Sequence, residues 1–154
     1  MGLARHQRKK YQSPNHPWQS DRIDEEQKLY QEYGFTNKKQ IWKMEAVLRN
    51  FRSQARDIVG LRGDKKEVAL KILITKLIKL GLVQKDASAD DVLNLQLRDL
   101  LERRFQTVVY KMGLANSANQ ARQFILHKKV TVDGKVITSP AYLINSGSKV
   151  AFRE

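Results

Sequence analysis

Apolar residues recur at helical spacing along most of this chain and give way to alternation only near its end. Ile41, Met44, Leu48, Phe51, Ala55 and Ile58 follow one another at steps of three and four, predicting a helix from Thr36 or Asn37 to Gly60. Before it, a short helix should begin at Ser20 or Asp21 and stop at Gly34. That helix places Asp24, Glu25 and Glu26 where its N-terminus favours negative charge. Asp64 followed by Glu67 has the form of a capping box, opening a helix to Gly81 whose apolar residues point in nearly every direction, as a buried helix requires. Past DASADDVLNL, the residues Leu97, Leu101, Phe105, Val108 and Met112 predict one continuous helix from Gln96 to Met112, closed by Gly113. Ser117 is a good N-cap for a further helix, with Gln120 placed to return a hydrogen bond to it. Its inward face is Ala118, Ala121, Phe124 and Ile125, and its periodicity ends at His127. Val130, Val132 and Val136 then alternate around Asp133-Gly134, a short-range hairpin signal. The fold class is α+β. Residues 1–20 read as an extended basic arm, 21–97 as a helical domain, and 98–154 as two helices with a small antiparallel sheet.

Charge adds a partner to this picture. Lys and Arg number 29 against 16 Asp and Glu, a formal net charge of +13 with a pI near 10.1, so an anionic partner is implied and nucleic acid is the first candidate. The cations are not spread evenly. Arg49, Arg52 and Arg56 form a strip beside the apolar face of the long helix, and Arg5, His6, Arg8, Lys9 and Lys10 stud the arm. Residues 98–154 hold ten basic and four acidic side chains, among them Arg103, Arg104, Lys111, Arg122, Lys128 and Lys129. The two lysines stand where a helix runs straight into a hairpin, more charge than capping that helix requires. This half is where an RNA backbone should lie.

Other functions lose their footing. The chain has no cysteine, hence no disulfide framework, thiolate zinc site or cysteine nucleophile. The greasiest stretch, VALKILITKLIKLGLV, is interrupted by Lys71, Lys76 and Lys79 and is too short to span a bilayer, so a soluble cytoplasmic protein without a membrane partner is expected. No phosphate-cradling loop, nucleophile elbow or zinc-protease motif occurs, and His6, His16 and His127 are too scattered for a triad or metal site. Asp90-Asp91 is best read as a helix start, since adjacent helical residues diverge. We expect no enzyme, no metal and no cofactor.

The stretch ERRFQTVVYKMGLANSANQARQFILHKKVTVDGKVITSPAYLI resembles the αL RNA-binding module of the small-subunit ribosomal protein S-four family. QRKKYQSPNHPW, RIDEEQKLYQEYGFTNKKQIWKMEAVLRNFRSQAR and LERRFQTVVYKMGLA extend the resemblance to the archaeal type of that family across most of the chain. The resemblance implies RNA contacts from Arg103, Arg104, Ser117, Gln120, Arg122, His127, Lys128 and Lys129. It also implies early binding at a multi-helix junction of small-subunit ribosomal RNA, and a place near the messenger RNA entry channel beside ribosomal protein S-five. A contribution to translational accuracy belongs to the same implication, whereas homo-oligomerisation is not expected. The pattern departs from its relatives at Asn116 and Asn119, where basic residues are frequent, at Lys128-Lys129, where Gly-His is usual, and at the terminal FRE, where a tail often continues. An alternative use of the same module is a free RNA-binding factor in assembly or in rescue of stalled ribosomes, which the long helical half argues against.

Overall fold

The structure, a computed structural model, describes residues 9–84 and 87–153. Arg5, His6 and Arg8 lie outside the described residues. Among the described residues, seven helices precede a three-stranded sheet: α1 (Ser20–Glu32), α2 (Lys39–Val59), α3 (Asp64–Leu80), α4 (Ala89–Asn94), α5 (Leu97–Glu102), α6 (Phe105–Lys111), α7 (Ala118–Leu126), β1 (Val130–Val132), β2 (Lys135–Val136) and β3 (Val150–Phe152). The sheet is antiparallel in the order β2-β1-β3.

All six apolar residues that define the period of α2 are buried, and they hold the helical core together against α3, α4 and α5. α3 differs from its expected all-round burial. Only Leu73, Ile74 and Leu77 are buried, while Val68 and Ile72 remain 58% and 67% exposed, because α2 covers one side of α3 alone. Its N-cap is Gly63 without a side-chain bond, so Asp64 and Glu67 sit in the first turn and act through the helix dipole rather than as a capping box.

The acidic start expected for α1 also has another use. Asp21 occupies the first turn, whereas Glu26 is buried, paired with Arg22 and with Lys38 at 3.3 Å, and accepts a 3.0 Å hydrogen bond from Trp42 Nε1. Burial alone would raise this carboxyl; the bonds from Trp42, Arg22 and Lys38 and the Arg22 charge outweigh it and hold the group below its ordinary range. Tyr11 leans on Trp42 at 5.9 Å, and Arg22 also donates to the Pro17 carbonyl at 2.8 Å, so the end of the arm is tied to α1 and α2. Trp18, the tryptophan of the arm, is 92% exposed and takes no part in this tie.

The largest correction is the helix over 96–112, which is two helices. Arg104 takes an extended backbone (φ −66°, ψ 139°) between α5 and α6. There are two apolar clusters, one reaching from Tyr33 to Leu101 and the other from Phe105 to Ile144. A straight helix cannot turn Leu100 and Leu101 to the first and Phe105 and Val109 to the second. The break lets it do so, and residues 142–144 satisfy the freed backbone: Phe105 N–H donates to Tyr142 O at 2.8 Å and Ile144 N–H to Arg103 O at 2.9 Å. Met112, expected inward, is accordingly 52% exposed.

Two glycines separate packing from backbone strain. Gly34 has φ +59° and a Cβ placed on it would lie 2.7 Å from Ala118 Cβ, whereas Gly134 in the hairpin has φ +76° and open space around it. Gly34→Ala should therefore cost about 2 kcal/mol or more, combining overpacking with left-handed strain. Gly134→Val should cost the strain alone, about 1–2 kcal/mol. Denaturant midpoints measure both, and equal losses would contradict this account.

Candidate nucleic-acid interface

Ser117 caps α7 by accepting from Gln120 N–H at 3.2 Å, as its sequence position foretells. Gln120 does not return the bond to the cap residue; its Oε1 accepts from Asn116 N–H at 2.7 Å, one residue earlier. Ala121 and Ile125 face the core, which leaves the half-buried Arg122 on the flank. At the far end, His127 is the C-cap, Lys128 N–H donates to Ile125 O at 3.1 Å and Lys129 N–H to Phe124 O at 2.9 Å. The chain then enters β1 directly. His127, Lys128 and Lys129 are all exposed, and Arg153 joins them because its N–H donates to Lys129 O at 2.8 Å.

Lys128 reaches this position with φ +59°, a left-handed conformation that a non-glycine residue adopts at a cost of roughly 1–2 kcal/mol. The tight joint between α7 and β1 requires that backbone. A lysine thus stands where glycine would be the easier residue, as Asp133 does in the hairpin turn that follows.

Other predicted residues turn inward. Arg104 is fully buried, stacks over the Phe35 ring with its guanidinium carbon 4.4 Å from the centroid, and donates to Gln40 Oε1 at 3.0 Å. Burial, reinforced by the charge of Arg122, lowers its pKa to about 10, so it remains charged at neutral pH. The expectation that Arg104 presents its charge on the surface is thus corrected: apolar packing of α6 draws it into the seam between the halves. Arg103 is half-buried and donates to Gly81 O at 2.7 Å, capping the end of α3 from across the seam. Lys111 is exposed but paired with Glu102 at 2.9 Å.

The arginine strip divides as well. Arg52 donates to the Leu95 carbonyl and Arg49 to Gln12, while Arg56 is exposed on the last turn of α2. The three line one groove with Glu45, Leu48, Gln96 and Leu97. Lys9 and Lys10 are exposed on the arm, away from any helix of their own. Sequence reasoning missed Gln106, whose buried Nε2 lies 3.3 Å from Tyr33 O, 2.9 Å from Gly34 O and 2.9 Å from Ala118 O. A polar residue between inward-facing Phe105 and Val109 was the available signal. Among the described residues, no group of three or more His, Cys, Asp or Glu side chains could hold a metal ion, and no helix is long and apolar enough to cross a membrane.

Residues 103–150 match the S4 domain family. The chain is 48% identical over 146 residues to small ribosomal subunit protein uS4 of Saccharolobus islandicus (strain L.S.2.15 / Lassen #1), covering 94% of this chain and 81% of that protein. It is 47% identical over the same length and shares to small ribosomal subunit protein uS4 of Saccharolobus solfataricus.

Two substitutions separate the inward cations from the outward ones. Arg104→Ala should lower stability by about 2–4 kcal/mol, since it empties a filled, buried position. Lys128→Gly should raise stability by up to about 1 kcal/mol by relieving the left-handed strain, while removing one exposed charge from the joint. Thermal melts of the two variants would check the pair; a stabilised Arg104→Ala or a destabilised Lys128→Gly would reverse the assignment.

Proposed function

Because the chain belongs to the family of small ribosomal subunit protein uS4, we propose that it is a structural constituent of that subunit, in the cytoplasm, and binds small-subunit ribosomal RNA. It is not an enzyme. The observation that carries the reading is the rigid corner between α7 and β1, where His127, Lys128, Lys129 and Arg153 are all exposed within the matched S4 domain or at its edge. Phosphates lying along this corner would meet cations whose backbone positions are already fixed. Arg122 flanks them from the next turns of α7.

The finer reading is a multi-helix junction of that RNA as the binding site, with early binding nucleating subunit assembly. The match to the relative covers 94% of this chain and so takes in the helical half, which supports a resident ribosomal protein over a free rescue factor. We further place the protein near the messenger RNA entry region, in contact with ribosomal protein S-five and other small-subunit proteins and contributing to accuracy. The groove lined by Arg49, Arg52 and Arg56 lies on the helical half and offers a second RNA contact, so the protein would clamp two RNA elements. Arg52, committed to Leu95 O, serves there as much to shape the groove as to meet a phosphate.

Binding to a small-subunit ribosomal RNA transcript should weaken with salt at a log–log slope of roughly −4 to −5 if about six phosphates are neutralised. Binding to polyuridylate should be much weaker, because a rigid surface reads folded RNA by shape. A slope near zero, or equal affinity for the homopolymer, would overturn the reading. Footprinting tests the clamp separately. Charge reversal at Arg49 and Arg56 should erase one of two protected patches and leave the other, and a single unchanged footprint would remove the second contact.

A further inference from the structure

One carboxyl stands in the arginine groove of α2, and phosphate binding does not explain it. Positions 45, 49, 52 and 56 follow one another at steps of four, three and four, so Glu45 shares one face of α2 with Arg49, Arg52 and Arg56 and lies one turn before the first of them. The four line a single groove of about 430 Å³ that also carries the apolar side chains of Leu48 and Leu97. Glu45, Gln96 and Leu97 line a neighbouring groove along α1 as well, so Glu45 sits where the two meet. A glutamate four residues before an arginine is placed for an ordinary helix ion pair. Here that pair is not made. The Arg49 guanidinium donates to Gln12 of the arm, and among the described residues the neighbouring ion pairs are those of Glu26 with Arg22 and Lys38 and of Glu32 with Arg98. Glu45 is half-buried. Its burial, together with the charge of Glu26, pushes the carboxyl above its ordinary range against the weaker pull of Arg49 and Arg22.

A ligand that suits the whole stripe carries negative charge for Arg49 and Arg56 and neutral N–H donors for Glu45. The arginines would repel a lysine or arginine from a protein, and Glu45 would repel an acidic peptide. A nucleotide has both features in one unit. Among the four bases, guanine alone presents two adjacent donors on its Watson–Crick edge, N1–H and the N2 amine, and these match the two oxygens of a carboxylate, which only accepts. Resting on the reading of this groove as the second RNA contact, we propose that Glu45 selects an unpaired guanine. Its carboxylate accepts from N1–H and from the N2 amine, while the flanking phosphates lie along Arg49 and Arg56. The helical half then contributes base selectivity as well as charge. A guanine inside a duplex is rejected, because its Watson–Crick edge is already occupied.

The full chain, titrated with a transcript of small-subunit ribosomal RNA from Saccharolobus solfataricus, tests the assignment. Glu45→Gln keeps the size of the side chain, replaces one acceptor by a donor and removes the repulsion with Glu26. It should fold normally yet weaken binding about tenfold, within the range of one lost bidentate base contact. A carboxylate that only happens to stand among RNA-binding arginines predicts the opposite sign, since removing a negative charge beside phosphates strengthens binding. Kethoxal, which modifies unpaired guanine at N1 and N2, reads the contact at the atoms concerned. One guanine should be protected by the parent protein and become reactive with Glu45→Gln, while hydroxyl-radical protection of its backbone persists. Equal or tighter binding of Glu45→Gln, or no guanine whose kethoxal reactivity depends on Glu45, would overturn the base contact and leave the second RNA contact standing. A footprint unmoved by charge reversal at Arg49 and Arg56 would instead overturn the second contact, and the guanine with it.

Discussion

The side chain of Gln106 is fully buried, and its amide nitrogen faces the carbonyls of Tyr33, Gly34 and Ala118. Those three oxygens belong to the end of α1's turn in one half and to the first residue of α7 in the other. A buried N–H donor left without a partner costs about 1–3 kcal/mol, so the amide nitrogen is satisfied only when both halves and α7 are correctly placed. The same demand explains Gly34, where any side chain would strike Ala118 and part the carbonyls from the amide. The break between α5 and α6 follows too, since α6 must leave the direction of α5 to bring Gln106 into the seam.

Arg104 repeats this logic with a charge. Its guanidinium is held by the Phe35 face and by Gln40, and both its own burial and the neighbouring Arg122 act to disfavour the cation. The seam tolerates that penalty because stacking on an aromatic face returns part of what desolvation takes away. The basic residues consequently form two populations. Arg103, Arg104 and Arg52 bond across or beneath the surface to carbonyls and an amide, whereas Lys128, Lys129, Arg56 and Arg153 are exposed, Lys129 with its ammonium 5.7 Å from the Phe124 ring centroid. Net charge alone does not distinguish a strut from a contact.

This division also explains how far the residues could be read directly. The period of α2, the Ser117 cap and the Asp133-Gly134 turn depend on neighbours within a few positions, and each stands as its spacing dictates. The continuous helix over 96–112 failed because its apolar residues serve two cores, a fact that exists only in three dimensions. The buried state of Arg104 was hidden for the same reason: its partners Phe35 and Gln40 lie more than sixty residues away in the chain. The exposed side of α3 shows the reverse error, for a helix apolar all round need not find a neighbour on every side.

The exposed cations differ from the arm in one respect that bears on affinity. At the α7–β1 joint, main-chain bonds from Lys128 to Ile125, from Lys129 to Phe124 and from Arg153 to Lys129 fix each Cα before any ligand arrives. Binding there has to order only side-chain rotamers, at roughly 0.5–1.5 kcal/mol each, and not the backbone that carries them. Lys9 and Lys10 lie on irregular chain ahead of Tyr11, where backbone ordering would add about 1–2 kcal/mol per residue. A charge on the joint is therefore more effective per residue than one on the arm. The strain at Lys128 is of the same size as the ordering cost of one backbone residue on unfixed chain.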